Sequence, residues 1–162
     1  MGVSPAYTDS RQDYVQRTLS LSLWQRKVDG GCGDLQWGDM TARILVIDDN
    51  KLLLRVINMI LSQSGFQVTV ADSGQKGLAL ALTHKPDLVL SDVTMPDMTG
   101  YEVCRHVRAH PDLGDTRFIL LSALSGHQDR AAGFAAGADE YLFKPIMPDE
   151  LLCKIREVLT RS

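Results

Sequence analysis

At 162 residues, with 44% hydrophobic and 23% charged side chains, the chain has the composition of one soluble globular domain with roughly forty residues to spare. A formal net charge of -3 gives no electrostatic footprint for nucleic acid. No apolar run approaches the ~20 residues that span a bilayer, and the N-terminus lacks the ordered regions of a signal peptide. A cytoplasmic location with no direct nucleic-acid or membrane partner is the expectation. Cys32, Cys104 and Cys153 form no CxxC pair, which argues against a zinc or redox motif and for reduced thiols.

Residues 1–39 mix polar residues with scattered hydrophobes and end near the glycine-rich run Asp29-Gly30-Gly31-Cys32-Gly33-Asp34, a connector by composition. A helix over Asp9 to Val28 is conceivable, although Tyr14, Leu19, Leu21, Leu23 and Trp24 make a poor stripe. The expected division is an N-terminal extension, 1–39, flexible or partly helical, and a domain over 40–162. The extension reads either as a poorly ordered addition or as a short docking helix.

From Arg43 the pattern is regular. Ile44-Leu45-Val46-Ile47 is a continuous apolar run, as a strand buried on both faces requires. Segments with helical spacing follow at roughly 51–63, 74–84, 99–110, 127–136 and 148–160. Strand-like runs lie between them at Val68-Thr69-Val70, Leu88-Val89-Leu90, Phe118-Ile119-Leu120-Leu121 and Glu140-Tyr141-Leu142-Phe143. In the first helix Leu53, Val56, Ile57, Ile60 and Leu61 are expected on one face. Ser73 suits the cap of the second, and Pro148-Asp149-Glu150 the first turn of the fifth. Five strands alternating with five helices predict an α/β fold, a three-layer sandwich around a parallel sheet. The chain stops close behind the fifth helix, and no C-terminal output domain is expected.

In an open sheet of this kind ligands bind beyond the carboxyl ends of the strands. The first strand runs into Asp48-Asp49, the third into Asp92, the fourth into Ser122 and the fifth toward Lys144-Pro145. Each residue has a plain structural reading: acids at a helix start, a turn former, a surface lysine. It is their convergence on one sheet edge that favours a site. Crowded carboxylates repel, and a hard divalent cation relieves that repulsion. A carboxylate can also attack a phosphoryl group, whose oxygens then need positive charge and donors. No histidine ends a strand, so the set suits phosphoryl transfer to an aspartate better than acid–base hydrolysis.

The blocks Ile47-Asp48-Asp49-Asn50, Ser91-Asp92-Val93-Thr94-Met95-Pro96-Asp97-Met98-Thr99-Gly100, Ser122-Ala123 and Lys144-Pro145 resemble the signatures of the receiver (CheY-like) family of response regulators, over about residues 42–160. The resemblance implies a flavodoxin-like, doubly wound five-stranded sheet of order 2-1-3-4-5. It implies Asp92 as phospho-acceptor, Asp48 and Asp49 with Asp92 and the Thr94 carbonyl as ligands of Mg2+, and Ser122 and Lys144 as partners of the phosphoryl oxygens. Ser122 and Tyr141 would form the switch, with Tyr141 turning inward. Pro145 would follow a cis peptide, and Gly100 would begin the third helix.

The implied partners are a histidine kinase or phosphotransfer protein as donor and a downstream protein as target, with a phosphorylation-dependent homodimer as a further possibility. Such a protein is not an enzyme in the ordinary sense, although it assists its own phosphorylation and slow dephosphorylation. Two departures stand out: Ser122 replaces the commoner threonine, and Thr99 stands where an acid or amide is usual. The alternatives are a receiver cut from a larger regulator, a phosphorylation-independent interaction module, and an aspartate-nucleophile hydrolase. Against the last, Thr94 occupies the place two residues after the nucleophile where such enzymes put a second acid.

Overall fold

The computed structural model describes residues 41–124 and 126–161, and the readings made on residues 1–39 lie outside them. Five strands, β1 (Arg43–Ile47), β2 (Gln67–Ala71), β3 (Leu88–Asp92), β4 (Arg117–Ser122) and β5 (Glu140–Phe143), alternate with five helices. The helices are α1 (Lys51–Gln63), α2 (Gly74–His84), α3 (Gly100–Ala109), α4 (His127–Ala135) and α5 (Pro148–Thr160), with a short 3-10 turn at Pro111–Leu113. Every strand pairing is parallel and the order is β2-β1-β3-β4-β5, as expected. The chain order reverses at β1 and β3, so their carboxyl ends flank the switch point of the sheet.

The period of two along each strand sorts its side chains into two cores. Leu45, Ile47, Val89, Phe118 and Leu120 enter a core with Ala81 of α2 and Val103, Cys104 and Val107 of α3. Ile44, Val46, Leu88, Leu90, Ile119 and Leu121 enter the opposite one with Leu54, Ile57 and Leu61 of α1 and Leu151, Leu152, Ile155 and Val158 of α5. This is why the central strands read as unbroken apolar runs: both their faces are covered.

One sequence expectation for α1 needs correction. Its buried side chains are Leu54, Ile57 and Leu61, whereas Val56 is 40% exposed and shares the outer side with Leu52 and Met59. A helix of 3.6 residues per turn cannot bury 54, 57 and 61 together with 56. The expectation of reduced thiols also holds only in part. Cys104 is a free buried thiol, which burial pushes up to about 11, whereas Cys153 is disulfide-bonded.

Helix starts place the loops that matter. Asn50 caps α1 by accepting from the amides of Leu52 and Leu53 at 3.1 and 3.2 Å. Ser73 caps α2 through the Lys76 amide, as predicted. Thr99 and Glu102 form a reciprocal capping box at α3, each side chain accepting from the other residue's amide. Thr99 therefore keeps the capping function that its position demands. Gly100 is required for a different reason: a Cβ there would lie 2.2 Å from the Asp92 carbonyl oxygen.

Candidate functional site

The carboxyl ends of β1, β3 and β5 each contribute part of a cluster at that edge of the sheet. β1 delivers Asp48 and Asp49, β3 delivers Asp92, and the loop after β5 delivers Lys144. The Lys144 Nζ donates to Asp48 Oδ2 at 2.8 Å and to Asp92 Oδ1 at 2.9 Å. The Lys144 amide is itself fixed to the Ser122 carbonyl at 2.7 Å, and the Lys144–Pro145 peptide is cis. Asp48 is held from behind, since its Oδ1 accepts from the Asn50 amide at 2.8 Å.

Asp48 and Asp92 are only 2% and 8% exposed, whereas Asp49 lies open to solvent. One carboxylate oxygen from each of these three residues falls within 4.8 Å of the others. Burial raises the Asp92 carboxyl above its usual range; Lys144 opposes the rise and the Asp48 charge adds to it. Burial works against the Lys144 ammonium too, but hydrogen bonds and charge from Asp48 and Asp92 outweigh it and raise its pKa. The result is a cation held charged between two buried acids, with a third acid at the solvent side.

Three hard oxygen donors of one sign, close together and half-satisfied by a single lysine, form a site fit for a divalent metal. The donor set is all carboxylate, which suits Mg2+ and not a soft ion.

Ser122 ends β4, next to β3, where Asp92 is in register with Leu121. Its buried hydroxyl accepts from the Leu124 amide at 2.9 Å. Tyr141 lies inward, 2% exposed, and its hydroxyl donates to the Leu124 carbonyl at 3.4 Å. One residue, Leu124, thus touches both residues of the expected switch, Ser122 through its amide and Tyr141 through its carbonyl. Thr94 is exposed on the β3–α3 connection.

Sequence reasoning did not single out three residues that shape this region. Asp97 caps α2 from the β3–α3 connection. Tyr101 donates from α3 to the Asp129 carbonyl of α4 at 3.2 Å, and its phenol is raised well above its usual range by burial first and by Tyr141 second. Gly133 is the residue against which the Tyr141 ring rests: a Cβ there would meet the ring at 2.6 Å. Asp97 left a trace in the sequence as an acid in the loop preceding a helix, and Gly133 as the first of a run of mostly small residues from Gly133 to Ala138 that reads as tight packing; Tyr101 left none.

A sheet of this order with this cluster at its switch point defines a receiver. The response regulator receiver domain family matches residues 44–156, and the chain belongs to that family. It is 38% identical over 120 residues to the DNA-binding dual master transcriptional regulator RpaA of Synechocystis, covering 74% of this chain and 50% of that protein. It is 40% identical over 123 residues to the response regulator MprA of Mycolicibacterium vanbaalenii, covering 76% and 52%.

The chain spans about half the length of these curated relatives. Among solved structures, the chemotaxis response regulator CheY4 of Vibrio cholerae is similar with a TM-score of 0.70 and 31% identity, covering 74% of this chain and 99% of that one. A CheY-like receiver domain protein of Methanospirillum hungatei gives 0.70 and 31%, covering 74% and 94%. The chain therefore carries a receiver domain of the two-component response-regulator kind. No described helix is long and apolar enough to cross a membrane.

Proposed function

We propose that this receiver accepts a phosphoryl group on Asp92 from a histidine kinase or a phosphotransfer protein, with Mg2+ bound, and relays it as a change in the surface formed by α4, β5 and α5. The observation that carries the reading is the pair of bonds from Lys144 to Asp48 and Asp92 inside a three-carboxylate cluster. An Asp92 carboxylate oxygen would attack the phosphorus of a phosphohistidine. The phosphorus–nitrogen bond would break, its electron pair leaving with the imidazole, and an acyl phosphate would remain.

Asp48, Asp49, Asp92 and the Thr94 carbonyl would hold Mg2+, which supplies positive charge beside the phosphoryl oxygens. Lys144, already an ion-pair partner of Asp92, would turn to a phosphoryl oxygen, and the Ser122 hydroxyl would donate to another. Ser122 can donate its proton while its oxygen accepts from the Leu124 amide, so a movement of Ser122 toward the phosphoryl group would be felt at Leu124, which also holds the Tyr141 hydroxyl. That shared residue supports a switch in which Ser122 and Tyr141 respond together.

On this reading the protein is a phospho-acceptor that assists its own phosphorylation and slow dephosphorylation, acts in the cytoplasm, and has a protein as its target. Leu124, Phe134, Phe143 and Met147 leave an apolar surface around β5 on which such a partner, or a second copy, would bind. The coverage of only half of RpaA and MprA favours a second reading, a receiver that works beside an output domain.

The test is incubation with acetyl phosphate or phosphoramidate, with and without Mg2+, followed by intact-mass analysis of the wild type and Asp92→Asn. The expected result is a Mg2+-dependent gain of about 80 Da, one phosphate, absent from the variant. A folded wild type that gains nothing would instead point to a phosphorylation-independent interaction module.

A further inference from the structure

Asp97 belongs to the connection between β3 and α3 but uses its carboxylate on another element. Its Oδ1 accepts from the Gly74 amide at 3.1 Å and its Oδ2 from the Gln75 amide at 2.9 Å. These are the first two amides of α2, which have no partner within the helix. The positive end of the helix favours a carboxylate at this place. Accordingly the bond from Gln75 leads in holding the Asp97 carboxyl below its usual range; burial opposes it, and the bond from Gly74 adds to the lowering. Asp97 is not one of the acids whose oxygens converge on the candidate metal site.

The connection that Asp97 anchors is the one that carries Thr94. The connection is secured by the burial of Val93 and Met95 on either side of Thr94 and by the Gly100 amide, which donates to the Val93 carbonyl at 2.9 Å. Thr94, Pro96 and Asp97 themselves are exposed, so their own side chains add no packing restraint to its outer side. The two bonds to α2 supply it from outside.

We propose that Asp97 is a positioning residue for the metal: by clamping the β3–α3 connection to the first turn of α2, it holds the Thr94 carbonyl where the Asp48, Asp49 and Asp92 carboxylates need a fourth oxygen. The inference rests on the reading above that this cluster binds Mg2+ with the help of Thr94. Asp97 does this without touching the ion, in the way that groups behind a metal's ligands set the orientation of those ligands.

The experiment is calorimetric titration of the full chain with MgCl2, paired with urea unfolding. The proteins are the wild type, Asp97→Ala, Asp97→Asn, Asp49→Asn and Ser73→Ala. Ser73→Ala removes a different cap from the same helix, the bond accepted from the Lys76 amide, without touching the connection. The expected result is Mg2+ binding weakened about tenfold in Asp97→Ala, weakened less in Asp97→Asn, which keeps one acceptor oxygen, and unchanged in Ser73→Ala. Wild-type affinity in Asp97→Ala, with a stability loss matching that of Ser73→Ala, would reduce Asp97 to a helix cap and overturn the inference. Equal weakening in Asp97→Ala and Ser73→Ala would overturn it as well, because any loosening of α2 would then suffice. A wild type that binds no Mg2+, or binds it no better than Asp49→Asn, would overturn the reading of the cluster itself.

Discussion

Asp48 and Asp92 are carboxylates in places that favour neutral groups, and Lys144 is the cation that makes both tolerable. Replacing Lys144 by methionine should therefore cost more than a surface ion pair does, about 2–3 kcal/mol in urea unfolding, because two buried acids lose their partner. Excess Mg2+ should restore much of that loss, since an ion at a hundred times its dissociation constant stabilises by about 2.7 kcal/mol. A variant equally destabilised with and without Mg2+ would show that lysine and metal do not serve the same carboxylates. Asp92 itself should show an opposite, pH-dependent effect. Its carboxyl is raised in the folded state, so the charged form is disfavoured there relative to the unfolded chain. In metal-free buffer the Asp92→Asn variant should match the wild type in acid. It should become the more stable of the two as pH rises from the ordinary aspartate range through the raised value. Melting curves from pH 3 to 7 would test this, and a gap that widens toward acid would refute it. The strand-end positions of all these residues were legible in the sequence, because each follows an apolar run directly. The partners of Lys144 were legible only by convergence: 96 and 52 residues separate it from Asp48 and Asp92.

Among the elements, α4 is the least committed to the core. Gly133 is its one buried residue, seated on the Tyr141 ring, while Tyr101 holds the Asp129 carbonyl in its first turn. Alanine is the better helix former, yet Gly133→Ala should destabilise by roughly 1–3 kcal/mol because the added methyl group meets the ring. It should also drive Tyr141 outward and speed hydrogen exchange of amides 127–135. Unchanged exchange in those amides would mean that α4 does not depend on that seat. The sequence run Gly133-Phe134-Ala135-Ala136-Gly137-Ala138 reads as tight packing, and position 133 bears that out. It gives no sign of Tyr101 or of which ring fills the space, because those contacts join residues from three different elements. The same reason explains α1. Five apolar positions were visible, but which of them face inward depended on a neighbouring helix and sheet that spacing alone does not describe.

Across the whole molecule, charge divides between two ends of the sheet with different duties. At the carboxyl end it builds the candidate site. At the other end Asp139 accepts from Arg108 of α3 at 2.7 Å, from Arg117 of β4 at 3.2 Å and from the Phe118 amide at 2.8 Å. Arg108 also donates to the carbonyls of Gly137 and Thr116, so a mostly buried network ties α3, β4 and the approach to β5. Asp139→Ala should cost about 2–3 kcal/mol, as expected for breaking a largely buried pair. The initial rate of phosphoryl uptake should stay at the wild-type value below the melting range. A slowed rate in the folded variant would mean that this end of the sheet reaches the site. None of this network was legible beforehand, since an arginine on a helix and an aspartate before a strand are ordinary surface residues until the fold brings them together.

The glycine seat of α4 has a consequence for how such a protein diversifies. Eight of the nine residues in that helix contribute no fully buried side chain, so the fold places few demands on them. Substitutions there can alter charge and shape on one flank of β5 while the carboxylate cluster, built on other elements, is left alone. Lineages that kept the glycine and the two tyrosines could exchange one binding partner for another by surface mutation, and the receiver would go on reading the same signal.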